Sequence, residues 1–311
     1  LKSFKLEQNY RSTQNIIEAA SQVISNNRQR KDKHVGTANE AGGQIQHVQL
    51  ADERAEAEMV VSEIKRLASE EARVFGDFAI FYRTNSQSRQ FEDVLRREKI
   101  PYQVVGGLRF YDRREIKDVL SYIKAVLNPS DSVALKRIIN TPARGIGKTT
   151  LEAIEDLQLK SGGTYWDAIE QVVAQPVLTS PTTARKVGVF RDLMLRLTGV
   201  TQTGFLTDLY HAILDETGYV QELKKEDTEE SLARVENLEE FDSLLQEFEE
   251  DWFERTPVEE REAKRAELLM LFLEQSTLSS EVDQANSYES SVKLMTLHSS
   301  KGLEFPTVFI V

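Results

Sequence analysis

The chain has 311 residues, of which 40% are hydrophobic and 29% are charged, and it contains no cysteine. This composition is typical of a globular protein, and it excludes a disordered chain, structural disulfides and zinc–thiolate centres. No apolar run is long enough to span a bilayer and no secretory signal precedes the first polar helix, so we expect a cytoplasmic protein with no membrane partner. The length suits two domains of ordinary size.

The net charge of −12 is concentrated in one stretch. Between Gln221 and Glu267 there are 18 acidic and 7 basic residues, and we interpret this run as a solvated helix face. Residues 83–117 instead carry 9 basic and 5 acidic residues, and residues 135–150 carry 4 basic and none acidic. Local basic patches attract phosphate backbones, so the overall acidity does not exclude a nucleic-acid partner.

The first 107 residues alternate between strand-like and helix-like segments. Ser12 or Thr13 can cap a helix with apolar residues at helical spacing, and Tyr10 and Arg11 lie just before it, where anions are often bound. On those two residues alone, a packed tyrosine and a solvated arginine are the simpler interpretation. A basic loop at 28–33, a weak strand at 45–50 and a helix opened by the aspartate at 52 follow.

Polar segments follow the strongest strand candidates. The apolar run at 78–82 passes into a polar loop at 83–89 and a helix, and the next strand, at 100–105, ends in two glycines. The last stretch, 291–311, places a polar segment between two β-branched runs. Such runs are typical of buried strands in a parallel sheet, and sites in these sheets form at the carboxyl ends of the strands. The chain begins without methionine and ends in a strand, so we expect a piece of a larger protein.

The interval between these strands is helical throughout. Asp112 and Glu115 resemble a capping box, and the helix that they open ends at the Asn-Pro pair at 128–129. Helical periodicity predicts further helices at about 133–140, 149–160, 164–174, 183–197, 206–217, 231–253 and 259–275. An all-helical block between two parts of one α/β sheet indicates an inserted domain.

A glycine-rich segment at 144–150 superficially resembles a phosphate-binding P-loop. The position that would need the first glycine is Pro142, and the preceding residues have a helical pattern, so that interpretation fails. Two helices joined by a glycine turn fit better. Such a hairpin can hold a DNA phosphate through backbone N–H groups, or it can be an ordinary helical corner. The candidate residues are Gly145, Gly147, Lys148 and Thr149.

Five stretches together closely resemble the PcrA/UvrD-type DNA helicases of superfamily one, and within them the PcrA branch of Gram-positive bacteria. They are LEQNYRS at 6–12, FYRTNSQSR at 81–89, PYQVVGGLRFYDRREIKD at 101–118, TPARGIGKTT at 141–150 and LMTLHSSKGLEFPTVF at 294–309. The resemblance implies an α/β fold class with a discontinuous, RecA-like parallel-sheet domain and a large inserted all-α subdomain. The first would comprise residues 1–108 and 282–311, truncated at its C-terminal end, and the second residues 109–281.

The resemblance also implies roles for residues at an ATP site. Tyr10 would stack near the adenine, Arg11 would reach the γ-phosphate as the catalytic arginine finger, and Glu304 would bind the ribose. The chain contains no Walker A sequence and no Asp-Glu pair on a strand. In this family both come from the first RecA-like domain, where we also expect the Mg²⁺ ligands, so no metal ligand is assigned in this chain.

Other residues would contact DNA by the same resemblance. Asn85 and His298 are similar to groups that bind single-stranded DNA, with Arg83 and Thr296 as neighbours. A structural hydrogen bond inside its loop is the alternative for His298. The glycine hairpin would contact duplex DNA.

We therefore expect a fragment of an ATP-dependent 3′–5′ DNA helicase that holds half an ATP site and is inactive alone. Expected partners are single-stranded DNA, single/double-strand junctions, the first RecA-like domain of the same parent, and repair or replication proteins. Two alternatives stay open. A RecB-like helicase-nuclease subunit would carry a nuclease domain downstream, and a non-catalytic helix-hairpin-helix module would explain Gly145 but not Tyr10 and Glu304.

Overall fold

The structure is a computed structural model that describes residues 7–27, 33–281 and 290–311. The chain divides into two compact units, Leu1–Asp52 and Glu53–Val311, which are described separately below. Residues 28–32 of the predicted basic loop and the predicted domain boundary at residue 282 lie outside the described residues. The predicted domain boundaries differ from this division into units, and they stay a prediction.

The first unit is built around one helix. Strand β1 (Gln8–Asn9) pairs in parallel with β2 (Gly36–Thr37), and helix α1 (Gln14–Ser25) lies between them in the chain. The prediction of a strand at 45–50 is wrong, since these residues form no ladder and their side chains are exposed. A strand needs a hydrogen-bonded neighbour, and the two-residue ladder of this unit gives it none.

The second unit contains a parallel sheet of four strands in the order β4-β5-β3-β6. Its strands are β3 (Phe78–Tyr82), β4 (Tyr102–Val104), β5 (Val292–Thr296) and β6 (Thr307–Ile310). Ile80 aligns with Leu294 on one side and with Phe309 on the other. The prediction of an α/β fold with a parallel sheet is confirmed, and the last stretch of the chain pairs with strands formed two hundred residues earlier.

Helices account for most of the second unit. Two of them, α2 (Glu53–Glu70) and α3 (Ser88–Arg97), precede the long helical interval. The interval contains α4 (Arg114–Leu127), α5 (Ser132–Ile138), α6 (Lys148–Ser161), α7 (Tyr165–Ala174), α8 (Pro181–Thr203), α9 (Leu206–Thr217), α10 (Tyr219–Glu226), α11 (Glu229–Arg255), α12 (Val258–Arg261) and α13 (Arg265–Glu281). None of the described helices is both long and apolar enough to cross a membrane.

Three local expectations differ from the structure. The capping box at Asp112 is not formed, because α4 begins two residues later and the Asp112 carboxylate instead pairs with Arg109 and Lys117. The helix predicted at 259–275 is divided into α12 and α13, which residues 262–264 separate, and the Arg261 guanidinium at the end of α12 donates to the Phe253 carbonyl at 2.6 Å. Helix α10 is absent from the predicted helices; it has only eight residues and buries two side chains.

Buried apolar side chains form two clusters in the second unit. One joins α2 and α3 to strands β3 and β5, and the other extends through the helical interval from Phe110 to Phe272. These two clusters accord with a sheet domain that carries a helical insertion. That the helical interval forms a separate inserted subdomain stays a prediction.

The burial of strand side chains in the sheet predicts how two Ala substitutions change the free energy of unfolding. Ile80→Ala should lower the free energy of unfolding by about 3 kcal/mol, because Ile80 is 0% exposed in a central strand and its truncation leaves a cavity. Ile310→Ala is the matched control on the neighbouring strand, where the side chain is 71% exposed, and it should change stability by less than about 0.5 kcal/mol. Urea unfolding of the two variants measures both. Equal losses would contradict the described sheet.

Candidate functional site: the carboxyl edge of the parallel sheet

Three loops meet where strands β3, β4 and β5 end. We call residues 83–87, 105–109 and 297–304 the edge loops. A Cβ placed on Gly106 would lie 3.0 Å from Ser299 Oγ, and one on Gly107 would lie 3.5 Å from Asn85 Oδ1. The glycines therefore let the three loops approach closely, and Gly106 also has a φ of +75°, which favours glycine. Parallel pairing has placed the polar segments of distant sequence stretches side by side.

The first edge loop presents Asn85 on a rigid backbone. Gln87 Oε1 accepts hydrogen bonds from the backbone N–H groups of Arg83 and Thr84, both at 3.0 Å. The Asn85 carbonyl accepts a 2.7 Å hydrogen bond from Arg113 Nη2. The side chains of Arg83 and Asn85 are exposed, so the loop holds its backbone in place and leaves these two predicted DNA contacts open to solvent.

Two predicted DNA contacts lie at the end of β5, Thr296 as its last residue and His298 in the third edge loop, and their surroundings differ. Thr296 Oγ1 bonds to Ser299 Oγ at 2.9 Å and accepts from the Ser299 N–H at 3.1 Å, so this hydroxyl shapes the turn. His298 is exposed, and its ring has no hydrogen-bond partner within the described part of the chain. The geometry therefore gives no support for a structural hydrogen bond of His298. Glu304 is exposed in the same loop.

The first unit holds Tyr10 and Arg11 on a braced segment. Asn9 Oδ1 accepts hydrogen bonds from the backbone N–H groups of Arg11 at 2.9 Å and Ser12 at 2.8 Å. Asn39 Nδ2 donates to the Ser12 carbonyl at 3.1 Å. The Tyr10 ring is 83% exposed and Arg11 is exposed as well. A planar ring and a guanidinium thus project from a fixed backbone, which suits stacking on a base and contact with a phosphate.

The start of α1 does not provide the anion site that the sequence suggested. The backbone N–H groups of Gln14 and Asn15 donate to the carbonyls of Glu40 and Ala41, each at 3.1 Å. Thr13 is the N-cap residue of α1, as predicted, but its side chain makes no capping hydrogen bond. Because other carbonyls occupy the first donors of the helix, a phosphate near this segment would depend on side chains.

The glycine hairpin joins α5 to α6, as predicted. Gly145 has a φ of +68°, and Asn140 Oδ1 accepts from the N–H groups of Arg144 at 2.8 Å and Ile146 at 3.1 Å. Helix α6 begins at Lys148, whose side chain is 89% exposed and whose ammonium group lies 3.7 Å from the Glu152 carboxylate one turn later. The first N–H groups of a helix have no partner within it, so the hairpin presents donors beside a lysine at the surface.

Part of the basic patch at 83–117 is paired with carboxylates. Arg89 pairs with Glu240, and Arg97 pairs with Glu58 at 3.0 Å, so two of its cations have partners from other parts of the chain. Lys117 pairs with Asp112 of the same stretch at 2.7 Å. The charge count along the chain therefore overstates the local positive charge at Arg89 and Arg97.

The acidic run of α11 is not only a solvated face, which corrects our interpretation. Glu249 accepts hydrogen bonds from Thr207 N at 2.9 Å and Thr207 Oγ1 at 3.0 Å, which holds the start of α9. Glu240 and Glu247 face Arg89, whose side chain is only 3% exposed. These carboxylates therefore connect helices.

One buried carboxylate lies directly behind the edge loops. Glu92 is 1% exposed and accepts hydrogen bonds from Ser88 Oγ at 2.6 Å and the Phe110 N–H at 3.2 Å. Burial raises the pKa of the Glu92 carboxyl, and Arg113 and these two donors oppose that rise. The bonds link α3 to the segment after β4, and they support the loops from the interior.

Comparison with known proteins agrees with this arrangement. The family profile described as the UvrD-like helicase C-terminal domain matches residues 4–311. The chain belongs to this family. It is 40% identical over 310 residues to the ATP-dependent DNA helicase PcrA of Staphylococcus epidermidis, and the match covers 100% of this chain and 41% of that relative.

Two further relatives show the same relation. The chain is 39% identical to the PcrA helicase of Staphylococcus aureus and 37% identical to that of Leuconostoc citreum, each over 306 residues. Both matches cover 98% of this chain and 40% of the relative. This UvrD-like C-terminal domain therefore spans about two fifths of the length of the relatives that it matches.

Sequence reasoning missed the residues that organise the edge loops of this UvrD-like domain. Gly106 and Gly107 were interpreted only as the end of a strand, and Ser299 and Arg113 were not singled out. A glycine pair directly after a strand in an α/β pattern was the available signal for the first two. The side chain of Arg113 gave no signal, because its partners lie 28 and 124 residues away along the chain.

The described residues of this UvrD-like domain contain no group of three or more His, Asp or Glu side chains arranged to hold a metal ion. Tyr10 and Arg11 of the first unit are exposed, and a planar ring and a guanidinium are suited to a base and a phosphate. Glu304 of the second unit is exposed as well.

The backbone conformations of Gly145 and Gly147 predict different effects of Ala substitutions on stability. Gly145→Ala should destabilise the chain by about 1–2 kcal/mol, because the left-handed backbone at Gly145 disfavours a Cβ and that Cβ would lie 2.7 Å from Lys186 Nζ. Gly147→Ala is the matched control, since its φ is −88° and no atom lies within 4 Å of a Cβ there. Its cost should be about 0.5 kcal/mol, from the weaker N-cap alone. Thermal unfolding measures both, and a larger loss for Gly147→Ala would contradict the described turn.

Proposed function

We propose that this chain is the second RecA-like domain, with its inserted helical subdomain, of an ATP-dependent 3′–5′ DNA helicase. The meeting of three edge loops at the carboxyl ends of parallel strands carries the proposal, because that is where ligands bind in such sheets. The relatives are named ATP-dependent DNA helicases, and the edge loops give this chain a surface suited to a DNA strand. The parent would work in the cytoplasm in DNA repair or replication.

Single-stranded DNA would bind across the edge loops. Asn85 and His298 project from two of these loops, and Arg83 and Lys301 are exposed beside them. An amide can bond to a base or phosphate and an imidazole can stack on a base, while the two cations attract the backbone. Thr296 would act mainly by shaping the loop that carries His298.

The duplex part of a junction would be held by the helical interval. Gly145, Gly147, Lys148 and Thr149 would bind a backbone phosphate without reading sequence, because the hairpin offers N–H donors and an exposed ammonium group. This arrangement supports a DNA role for the hairpin and accounts for its exposed lysine.

This chain would supply half of an ATP site, with the other half in the first RecA-like domain. ATP with its Mg²⁺ is the substrate, and hydrolysis of the γ-phosphate supplies the free energy for movement along DNA. Tyr10 would stack on the base, Glu304 would bind the ribose and Arg11 would stabilise charge that develops on the γ-phosphate. Because the phosphate loop and the Mg²⁺ ligands belong to the other domain, this chain would be inactive alone.

Two alternative functions share some of these features. A RecB-like helicase-nuclease subunit would share these sites, and a nuclease domain elsewhere in the parent would distinguish it. A non-catalytic helix-hairpin-helix module accounts for Gly145 but leaves the braced Tyr10–Arg11 segment and Glu304 without a role.

The arginine-finger role predicts a change in turnover. In the full-length protein, Arg11→Lys should reduce kcat for ATP at saturating single-stranded DNA by about a hundredfold or more, because lysine keeps the charge but loses the planar fork. Tyr10→Ala should instead raise KM for ATP, since stacking holds the base in ground and transition states alike. Steady-state ATPase assays measure both effects.

Arg255→Lys is the control for Arg11→Lys, because the Arg255 side chain is 80% exposed and pairs only with Asp251 on its own helix among the described residues. It should leave turnover unchanged. A kcat within about twofold of the wild-type value for Arg11→Lys would remove the catalytic role of Arg11.

We call the proposed single-stranded DNA site across the edge loops the groove. It makes a separate prediction about DNA binding. Asn85→Ala and His298→Ala should each weaken single-stranded DNA binding about three- to tenfold, with the affinity for nucleotide nearly unchanged. Fluorescence anisotropy with a labelled oligothymidylate measures the affinity for DNA, and ATP titration measures the affinity for nucleotide.

His211→Ala is the matched control, since this histidine pairs with Asp242 on the helical interval at 2.9 Å and has no contact with the edge loops in the described structure. Its DNA affinity should equal that of the wild type. Unaltered DNA binding in both loop variants would reject the groove.

A further inference from the structure

Arg113 is buried behind the edge loops, on the side that faces the protein interior. It is the residue before α4, it is 6% exposed, and its guanidinium carbon lies 5.1 Å from the centre of the Phe110 ring. An arginine buried this deeply needs acceptors for its donors, because an unpaired buried donor costs free energy. The partners of Arg113 therefore show what it holds together.

Two of the edge loops are joined through this guanidinium. Its Nη2 donates to the Asn85 carbonyl at 2.7 Å and to Ser88 Oγ at 2.8 Å. Its Nε donates to the Leu108 carbonyl at 3.4 Å. Arg113 thus connects the backbone of a proposed DNA-contacting residue to the start of α3 and to the loop that packs against Asn85.

The opposite side of the guanidinium reaches the helical interval. Nη1 donates to Asn237 Oδ1 of α11 at 2.7 Å, and Asn237 Nδ2 donates to Glu115 Oε1 at 2.6 Å. Asn237 is 6% exposed and Glu115 is 3% exposed. A continuous buried chain of hydrogen bonds therefore extends from α11 through Arg113 to the carbonyl of Asn85.

We propose that Arg113 is a positioning residue that holds the Asn85 loop in its DNA-binding shape and ties this shape to helix α11. The inference rests on the proposed function, since it assigns Arg113 to the single-stranded DNA site. Only a planar fork can satisfy acceptors on two edge loops, α3 and α11 at once, and a lysine ammonium cannot span them. A shift of α11 relative to the sheet would then change the affinity of the edge loops for DNA.

The test compares Arg113→Lys with wild type in the full-length protein, using an oligothymidylate as the DNA probe. We expect the KM for DNA in the ATPase assay to rise about tenfold, with kcat at saturating DNA and KM for ATP within about twofold. The Asn237 side chain makes no hydrogen bond to the edge loops in the described structure, and Asn237→Ala should raise the KM for DNA about threefold by releasing the other end of the hydrogen-bond chain.

Arg261→Lys is the matched control. The Arg261 guanidinium also bonds to two carbonyls, those of Phe253 and Thr256, and it stacks on the Phe253 ring at 4.8 Å. It contacts the far end of α11, about 24 Å along the helix from Asn237. Arg261→Lys should therefore leave the KM for DNA unchanged even where it lowers the unfolding temperature.

A double variant separates positioning from general stability. If Arg113 acts through Asn85, the Arg113→Lys and Asn85→Ala effects on the KM for DNA should be clearly less than additive. Full additivity, or equal increases in KM for ATP and DNA, would overturn the positioning role. A normal KM for DNA in Arg113→Lys, with weak binding in Asn85→Ala, would overturn this inference and leave the groove intact. Unaltered binding in both Asn85→Ala and His298→Ala would reject the groove and the inference with it.

Discussion

The parallel pairing of β3 with β5 is the interaction on which the rest of the second unit depends. Their register aligns Ile80 with Leu294 and Tyr82 with Thr296, although about two hundred residues separate the strands. Because both strands run in the same direction, the segments that follow them leave the sheet at one edge. The contacts between the loops then follow from the glycines after β4, which have no Cβ to keep Asn85 and Ser299 away.

Buried arginines connect this sheet to the helical interval. Arg89 lies between the acidic side chains of α11, and Arg113 bonds to Asn237 of the same helix. Burying either guanidinium without acceptors would cost free energy. Helix α11 must therefore present carboxylate and amide oxygens at these two positions. The acidic run of the chain is therefore partly structural, and its charge does not act as a uniform field against DNA.

The sequence predicted the parts of the structure that depend on local pattern. Strands at 78–82 and 292–296, the hairpin at Gly145 and most helices have clear periodicity or turn residues, and they are observed where we expected them. The strand at 45–50 and the capping box at Asp112 failed, because distant partners decide whether a strand or a cap forms. The site was predictable as a set of loops at strand ends. The role of Arg113 was not, since its acceptors at Asn85, Ser88 and Asn237 lie 28, 25 and 124 residues away along the chain.

Photocrosslinking tests the central claim, that single-stranded DNA lies across the carboxyl edge of this sheet. The full-length protein would be irradiated with an oligonucleotide that carries iodouracil, and the crosslinked peptides would be mapped by mass spectrometry. We expect crosslinks in residues 83–87, 105–109 and 297–304, competed by unlabelled single-stranded DNA. Crosslinks confined to other surfaces, such as the hairpin at 141–150, with none in the three edge loops would contradict it.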